Sequence, residues 1–324
     1  MKDFDENLGI ILPKNQIQLF GYEYYFNSFI KLYLKSKLPN TILLSGPKGS
    51  GKSTFAYHFI NYLLSYGEKN KYSVNNFTIN PDNKSYKLLC NNTHPNFSLL
   101  ETDMPDENIK IGYVRNILKF LDKSTYSSNI KIVLIDDAEH LNIYSSNALL
   151  KALEEANSKT FFFIVHNNSH KILRTIKSRC IEFKFFFTFS EKKKILENII
   201  KPYDDDLNKN NIPESFYFDT PGNILKYLLI FKNSNIDFLK DKLSCILHLF
   251  DQYKSKSDQQ FLTFASLLIE LFYNELSMKN NKNLNVYFSN KFKLLKQIDD
   301  AKKFNLDKKT LFISLRSVLE NESK

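Results

Sequence analysis

The sequence predicts an α/β protein with a mostly parallel sheet, followed by a region that is helical throughout. Short apolar or β-branched runs alternate with helical patterns up to Phe185. Alternation of this kind is typical of parallel sheets with helices on both faces. The five predicted strands are Thr41–Ser45, Phe97–Glu101, Lys131–Asp136, Thr160–Val165 and Cys180–Phe185.

Helical spacing of apolar residues places three helices between these strands, over Ser53–Ser65, Ile109–Leu121 and Ser145–Glu155. The segment Tyr66–His94 is polar and rich in Asn and Lys, and is either an ordered insertion or a long loop.

The pattern changes after Phe187. Ser190 is placed to cap a helix that runs through Lys192–Ile200, and Pro221-Gly222 opens another helix that continues to Phe231. From Asp237 onward the pattern is helical throughout. We therefore predict three domains, over residues 1–187, 188–234 and 235–324.

Composition places the chain among soluble globular proteins, with 43% hydrophobic and 25% charged residues. No apolar run reaches the roughly 20 residues that span a bilayer, and the acidic start Met1–Glu6 lacks the apolar core of a secretion signal. We expect a cytoplasmic protein. The net charge of +10 has two explanations, an Asn- and Lys-rich composition or a nucleic-acid partner.

A glycine-rich segment between the first strand and the next helix, Gly46-Pro47-Lys48-Gly49-Ser50-Gly51-Lys52-Ser53, matches the phosphate-binding P-loop pattern in full. The pattern requires this strand-to-helix context. Glycines let backbone N–H groups approach a phosphate, and the helix adds the positive end of its dipole. We predict that residues 46–54, including Thr54, bind a nucleotide and that the Lys52 ammonium reaches its terminal phosphates.

The third predicted strand ends in two acidic residues, Asp136 and Asp137. We expect Asp136 and the Ser53 hydroxyl to hold Mg²⁺, because an apolar strand that ends in carboxylates beside a P-loop commonly does so. Asp137 stands where related ATPases place a glutamate that activates water. Its shorter side chain makes it either a weak base or a strand-end carboxylate without a catalytic role. Glu139 is either a substitute base or a cap of the following segment.

Four segments closely resemble the AAA+ subunits of bacterial DNA polymerase III clamp loaders. They are Asp136–Leu141, the Ala-Leu-Leu-Lys-Ala-Leu-Glu-Glu run within Asn147–Glu155, the strand Thr160–Val165, and Ile176–Cys180 with its Ser-Arg-Cys sequence. Upstream, His94–Glu101 resembles the His-Pro-Asp segment of the delta-prime type. The resemblance is strong over residues 40–185, and weaker but consistent in order over the remainder.

This resemblance implies an AAA+ domain with a five-stranded parallel sheet, a helical lid and an all-α collar that joins subunits. It implies ATP or ADP with Mg²⁺ as the ligand. It implies gamma/tau and delta subunits as partners, with the sliding clamp and primed DNA reached through the assembled complex and no membrane involved. Collar positions such as Phe261, Leu268 and Phe272 are then either contacts between subunits or core of the collar alone.

The arginine of the family's Ser-Arg-Cys sequence projects into the nucleotide site of a neighbouring subunit. The resemblance therefore implies that Arg179 is an arginine finger that acts in trans and stabilises charge during phosphoryl transfer. The alternative is a surface ion pair near the start of a strand. An unrelated P-loop kinase would have no reason to carry this motif and a helical third domain.

Departures from the family pattern favour the delta-prime type over gamma/tau. Members usually carry four zinc-binding cysteines before the His-Pro segment, but only Cys90 stands there, so we expect no zinc. Gamma and tau subunits place threonines after the fourth strand, where this chain has His166 and Asn167, and an arginine in the lid, where it has Leu225. With Asp137, these changes imply at most a weak ATPase. A gamma/tau-type subunit with its own ATPase activity stays the alternative.

Overall fold

The structure, a computed structural model, describes residues 8–102, 108–123, 130–156, 158–167, 172–203, 212, 214–234, 236, 241–256, 259–279, 284–304 and 316–318. The chain divides into two compact units, Met1–Lys226 and Tyr227–Lys324. The boundary falls inside a helix, so it does not test the predicted three-domain division, which stays a prediction.

The first unit alternates strands with helices. Its strands are β1 Thr41–Ser45, β2 Phe97–Leu100, β3 Lys131–Ile135, β4 Thr160–His166 and β5 Ile181–Lys184. Its helices are α1 Glu23–Leu34, α2 Lys52–Leu64, α3 Lys84–Cys90, α4 Ile111–Asp122, α5 Ile143–Glu154, α6 Arg174–Lys177 and α7 Phe189–Ile200. The described residues of this unit also include short 3-10 helices at Pro13–Asn15, Ala138–His140 and Glu214–Phe218.

The five strands form one parallel sheet in the order β2-β3-β4-β1-β5. The predicted α/β fold is therefore confirmed, with strand ends within one or two residues of the expected positions. Because β4 separates β1 from β3, the segments that follow β1, β3 and β4 meet at one edge of the sheet. Ligands bind at such edges in open α/β sheets, so the topology brings the P-loop close to Asp136.

Both faces of the sheet are buried, and β4 shows this most clearly. Phe161 and Phe163 belong to the apolar cluster on one face, with α1 and α2, whereas Phe162 and Ile164 belong to the cluster on the other face, with α4 and α5. Successive side chains of a strand point to opposite faces. The continuous apolar run of β4 therefore reflects burial on both sides.

Helix α1 was not among the sequence-based predictions, although its Phe26 and Phe29 are fully buried. The segment 66–94 is ordered and contains α3, whose N-cap is the buried Asn83. The predicted cap at Ser190 is wrong. Thr188 caps α7, because its side chain accepts from the amide of Glu191 while that glutamate accepts from the Thr188 amide, a reciprocal capping box.

The second unit consists of helices in the residues that the structure describes. Helix α8 Pro221–Asn233 crosses the unit boundary, and α9 Lys242–Lys256, α10 Gln259–Lys279 and α11 Leu284–Phe304 follow. The ring of Tyr227 stacks on that of Phe264, with centroids 3.8 Å apart. Across the described ranges, no helix has the length and apolarity to cross a membrane.

Burial decides whether the apolar residues named for this second unit are core or contacts between subunits. Phe261 and Leu268 lie in its core, with at most 1% of their surface exposed, and Phe272 is half-buried. Of the two alternatives for these positions, Phe261 and Leu268 therefore fit the core and not a surface contact. The exposed apolar side chains of α11 are Val286, Phe288 and Phe292.

Candidate nucleotide site

The P-loop joins β1 to α2, as its sequence predicts. Gly49 and Gly51 adopt φ values of 78° and 89°, in the left-handed region that glycine occupies at little cost, and Gly51 is the N-cap of α2. A Cβ atom on Gly46 would lie 2.6 Å from the carbonyl oxygen of Phe185. The loop therefore requires glycine for its turns at two positions and for close packing at a third.

Every carbonyl group from residue 47 to residue 50 accepts a hydrogen bond from outside that run. The donors, in order, are Lys52 Nζ at 2.7 Å, Thr220 Oγ1 at 2.7 Å, Gly222 N at 2.9 Å and Tyr22 OH at 2.8 Å. Among the described residues, the amides of residues 49–51 have no acceptor. A peptide carbonyl and the next amide point in opposite directions, so these three consecutive N–H groups point away from the donors that bind the carbonyls of residues 48–50. Such a nest suits a phosphate.

Lys52 is buried and folds back onto its own loop. Its Nζ donates to the carbonyl of Pro47 and, at 3.3 Å, to the hydroxyl of Ser50. Burial lowers the pKa of Lys52 to about 8, although the carboxylates of Asp136, Glu139 and Asp137 oppose the shift. The ammonium is thus desolvated, and the nearby carboxylates offset only part of the cost of burying it.

Ser53 and Asp136 meet as expected, with the hydroxyl donating to Oδ1 across 2.9 Å. This pair fits Mg²⁺, which is usually held by one or two protein oxygens together with phosphates and waters. A cage made wholly of protein is not required. In the described part of the chain, no group of three or more His, Cys, Asp or Glu residues is placed to hold a metal.

Asp137 has a left-handed backbone with φ of 55°, and its Oδ1 accepts from the side-chain amide of Asn167 at 2.5 Å. The backbone amide of Asn167 donates to Oε2 of Glu139 at 3.2 Å. Asn167 follows β4 and links Asp137 to Glu139, a role that sequence reasoning missed. The sequence contained a signal for this contact, because residues that follow adjacent parallel strands lie at the same edge of the sheet. Glu139 thus accepts a hydrogen bond from a backbone amide. This contact does not distinguish between the two roles considered for Glu139, a substitute base and a cap.

The start of α8 lies directly on the P-loop. A Cβ atom on Gly222 would lie 2.6 Å from the carbonyl oxygen of Gly49. The buried Leu225 helps to line a cavity of about 150 Å³ beside the loop. The cavity is mostly apolar, with walls from the N-terminal segment, α7 and α8 that include Ile10, Ile11, Leu19, Ile195 and Ile199. The residue at the expected arginine position thus contributes to an apolar wall.

Arg179 lies away from these residues, near the start of β5. Its Nε donates to Oε1 of Glu154 at 2.6 Å, Nη2 contacts the same oxygen, and Nη1 donates to the carbonyl of Thr175 at 2.8 Å. The guanidinium forms an ion pair at the surface, with 30% of the arginine side chain exposed. This contact matches the alternative in which Arg179 forms an ion pair at the surface. The structure of one chain does not test whether Arg179 acts in a neighbouring subunit.

The cysteines that bear on the family comparison are both half-buried. The thiol of Cys90 donates to the carbonyl of Lys14 at 3.3 Å, and burial raises the pKa of Cys180 to about 12. Both groups therefore favour the thiol form at neutral pH, which is a poor metal ligand. The absence of zinc stays a prediction.

A parallel α/β sheet, a complete P-loop and a strand-end carboxylate beside it define the P-loop class of nucleotide-binding proteins. A family model described as DNA polymerase III, delta subunit, matches residues 22–187, just over half of the chain. The chain belongs to this family, and the predicted resemblance to clamp-loader subunits is confirmed.

Individual relatives agree with this assignment. The chain is 32% identical over 140 residues to DNA polymerase III subunit delta' of Pseudomonas aeruginosa, covering 43% of this chain and 41% of the relative. It is 25% identical over 155 residues to the Escherichia coli delta' subunit, covering 48% and 45%. The gamma subunit of Buchnera aphidicola subsp. Schizaphis graminum is 28% identical over 172 residues, covering 53% and 45%. The chain thus spans about half the length of these relatives.

One solved structure extends the likeness to most of the chain. A DNA polymerase III gamma-subunit-related protein from Thermotoga maritima has a TM-score of 0.50 and 18% identity, covering 91% of this chain and 99% of that one. At this identity the likeness supports the fold alone.

Proposed function

We propose that this chain is a delta-prime-type subunit of the DNA polymerase III clamp loader, which helps to place the sliding clamp on primed DNA in the cytoplasm. The observation that carries the proposal is the family match over residues 22–187, which contains both the P-loop and Arg179. The P. aeruginosa and E. coli relatives named delta' add support. Its partners are gamma/tau and delta subunits, and it reaches the clamp and DNA through the complex.

In this proposal the P-loop binds ATP or ADP with Mg²⁺. The three amides of residues 49–51 hold the phosphates, and Lys52 turns from Pro47 towards them. The exchange is favourable because a phosphate gives the desolvated ammonium a direct anionic partner in place of the Pro47 carbonyl. Ser53 and Asp136 hold Mg²⁺, which neutralises phosphate charge. The apolar cavity beside the loop, with Leu225 in its wall, takes the base.

Hydrolysis at this site is weak. Asp137 has a short side chain, and Asn167 holds its carboxylate at 2.5 Å. A base must lie within hydrogen-bonding reach of the attacking water, and this carboxylate is drawn towards β4 instead. A second reason for weak hydrolysis is Leu225 in α8, whose apolar side chain provides no positive charge beside the phosphates.

The catalytic contribution of the chain is made on a neighbouring subunit. Arg179 is partly exposed on a short segment between α6 and β5, where another chain can approach it. A guanidinium beside the γ-phosphate stabilises the charge of the transition state, an effect worth about 10³–10⁵ in rate. Residues 188–234 act as the lid and residues 235–324 as the collar. The exposed Phe288 and Phe292 of α11 are the collar's contact with other subunits.

The test compares the isolated chain with the assembled clamp loader. The isolated chain should bind ATP and ADP, lose binding on Lys52→Ala, and hydrolyse ATP slowly or not at all. Arg179→Ala should leave assembly intact and reduce ATP hydrolysis and clamp loading by the complex. Normal loading by the Arg179→Ala complex would contradict the trans-acting role.

The second candidate is a gamma/tau-type subunit with its own ATPase activity. The complete P-loop and the contact between Ser53 and Asp136 favour it, as does the similarity to a curated gamma subunit. Appreciable ATP turnover by the isolated chain, abolished by Lys52→Ala in this chain, would establish this candidate and exclude the first.

A further inference from the structure

The guanidinium of Arg179 is held at several points at once. Its Nε and Nη2 both contact one carboxylate oxygen of Glu154, and its Nη1 donates to the carbonyl of Thr175. A guanidinium carries five N–H groups in a fixed plane. Within the described residues, these contacts use three of the five N–H groups. One N–H group therefore remains on Nη1 and one on Nη2. A phosphate oxygen can take these remaining groups without displacing Glu154.

The backbone of Arg179 is also fixed. Its amide donates to the carbonyl of Ile176 at 3.0 Å, and its carbonyl accepts from the hydroxyl of Thr41 at 2.5 Å. The segment is thus tied to α6 and β1, while the head of the side chain is tied to α5. A long side chain with both ends held keeps few of its rotamers, so less entropy is lost when it binds a phosphate.

Glu154 lies at a position where a glutamate does not stabilise its own helix. It is the last residue of α5, where an acidic side chain opposes the helix dipole. The next residue, Glu155, is also acidic but only faces Lys151 at 4.0 Å. The two carboxylates are adjacent and exposed, and Glu154 contacts Arg179. This difference makes Glu155 a matched control.

We propose that Glu154 is a positioning residue that holds Arg179 ready for the nucleotide of a neighbouring subunit. The inference rests on the proposed function, because it needs Arg179 to act in trans. Glu154 touches no nucleotide. It fixes the direction of the guanidinium while the terminal N–H groups stay available.

The experiment measures ATP hydrolysis by the clamp loader assembled from this chain and its gamma/tau and delta partners. Glu154→Ala should lower kcat about tenfold, since a misplaced catalytic group costs about that much or more. The KM for ATP should change less than about twofold, because the pair does not build the binding site. Glu155→Ala should match the wild type.

Two conservative variants separate positioning from charge. Glu154→Gln keeps an oxygen at the same reach, so its kcat should stay within about threefold of the wild type. Glu154→Asp keeps the charge but is one methylene too short, so it should lose about as much as Glu154→Ala. The opposite order, with aspartate active and glutamine inactive, would overturn the inference.

The double variant Glu154→Ala/Arg179→Ala should be no slower than Arg179→Ala alone, because the two residues act as one unit. A further tenfold loss in the double variant would show that Glu154 acts elsewhere. If Arg179→Ala lowers kcat and Glu154→Ala and Glu154→Asp do not, the inference fails and the proposed function stands. If Arg179→Ala has no effect, the proposed function itself fails.

Discussion

The backbone amide of Gly222 donates a hydrogen bond to the carbonyl oxygen of Gly49 across 2.9 Å. The bond ties the first turn of α8 to the P-loop, and Thr220 adds a second tie through the carbonyl of Lys48. Both contacts fix peptide planes of the P-loop. The first turn of α8 therefore helps to set the conformation of this loop.

Gly222→Ala should disrupt this contact, because the added Cβ would lie 2.6 Å from the Gly49 carbonyl oxygen. Neither the backbone of α8 nor that of the P-loop can shift without strain, so we expect a loss of about 1–3 kcal/mol in the free energy of unfolding. Nucleotide affinity should fall as well. Denaturant unfolding and nucleotide titration measure the two effects. The control is Gly112→Ala in α4, where a Cβ meets no atom within 4 Å. It should not destabilise the protein, and an equal loss in both variants would contradict the prediction.

The buried Lys52 should make stability depend on pH. Its folded pKa of about 8 lies below the ordinary 10.5, so the unfolded chain binds more protons between these values. The cost of burying the charge is fully present below pH 8 and is relieved as pH rises to 10.5. Relative to Lys52→Met, the wild type should therefore gain on the order of 3 kcal/mol of stability across this window. Parallel unfolding curves at pH 7 and pH 10 test this, and a constant difference would refute it.

His58 should produce a slope of the same sign in acid, with stability again rising as pH rises. It is fully buried, its Nε2 lies 2.9 Å from the carbonyl of Gln16, and its Nδ1 lies 3.0 Å from the Tyr72 hydroxyl. A carbonyl only accepts, so Nε2 carries the hydrogen and Nδ1 accepts from Tyr72. Burial lowers the pKa of His58 to about 4.

The unfolded chain therefore takes up a proton first, and stability is lost as pH falls from 6.5 towards 4. The loss attributable to His58 is on the order of 3 kcal/mol. His94 has a similarly lowered pKa and adds to it. Thermal unfolding from pH 7 to pH 4.5 should show a shallower decline for His58→Gln than for the wild type. Equal slopes would count against the assignment.

Lys131 should stabilise the C-terminal end of α4. Its buried Nζ donates to the carbonyls of Phe120 at 3.1 Å and Leu121 at 2.5 Å, where the helix leaves its last acceptors. Lys131→Met keeps the length but removes the donors, and should cost about 1–3 kcal/mol. Lys119→Met, an exposed position on the same helix, should change stability by less than about 0.5 kcal/mol. Chemical denaturation of the two variants side by side decides the matter.

Local patterns were sufficient for most of the sheet, because a strand buried on both faces must be apolar along its whole length. The run Phe161–Val165 shows this. No helix was predicted at α1, although its Phe26 and Phe29 are buried. Local patterns left Phe261 and Leu268 open between core and subunit contact, because helical spacing identifies an apolar face but not what covers it. Only the packing of α10 in its own unit showed that these residues are core.

The sequence by itself determined the P-loop, the paired acidic residues after β3 and the family, because these depend on residue types at fixed short spacings. Tertiary structure alone decided which distant groups meet them. Asn167 reaches Asp137 because β4 lies beside β3, and Gly222 reaches Gly49 because α8 packs on the loop. Glu154 reaches Arg179 across 25 positions of chain. Such contacts depend on strand order and helix packing, which spacing along a chain does not encode.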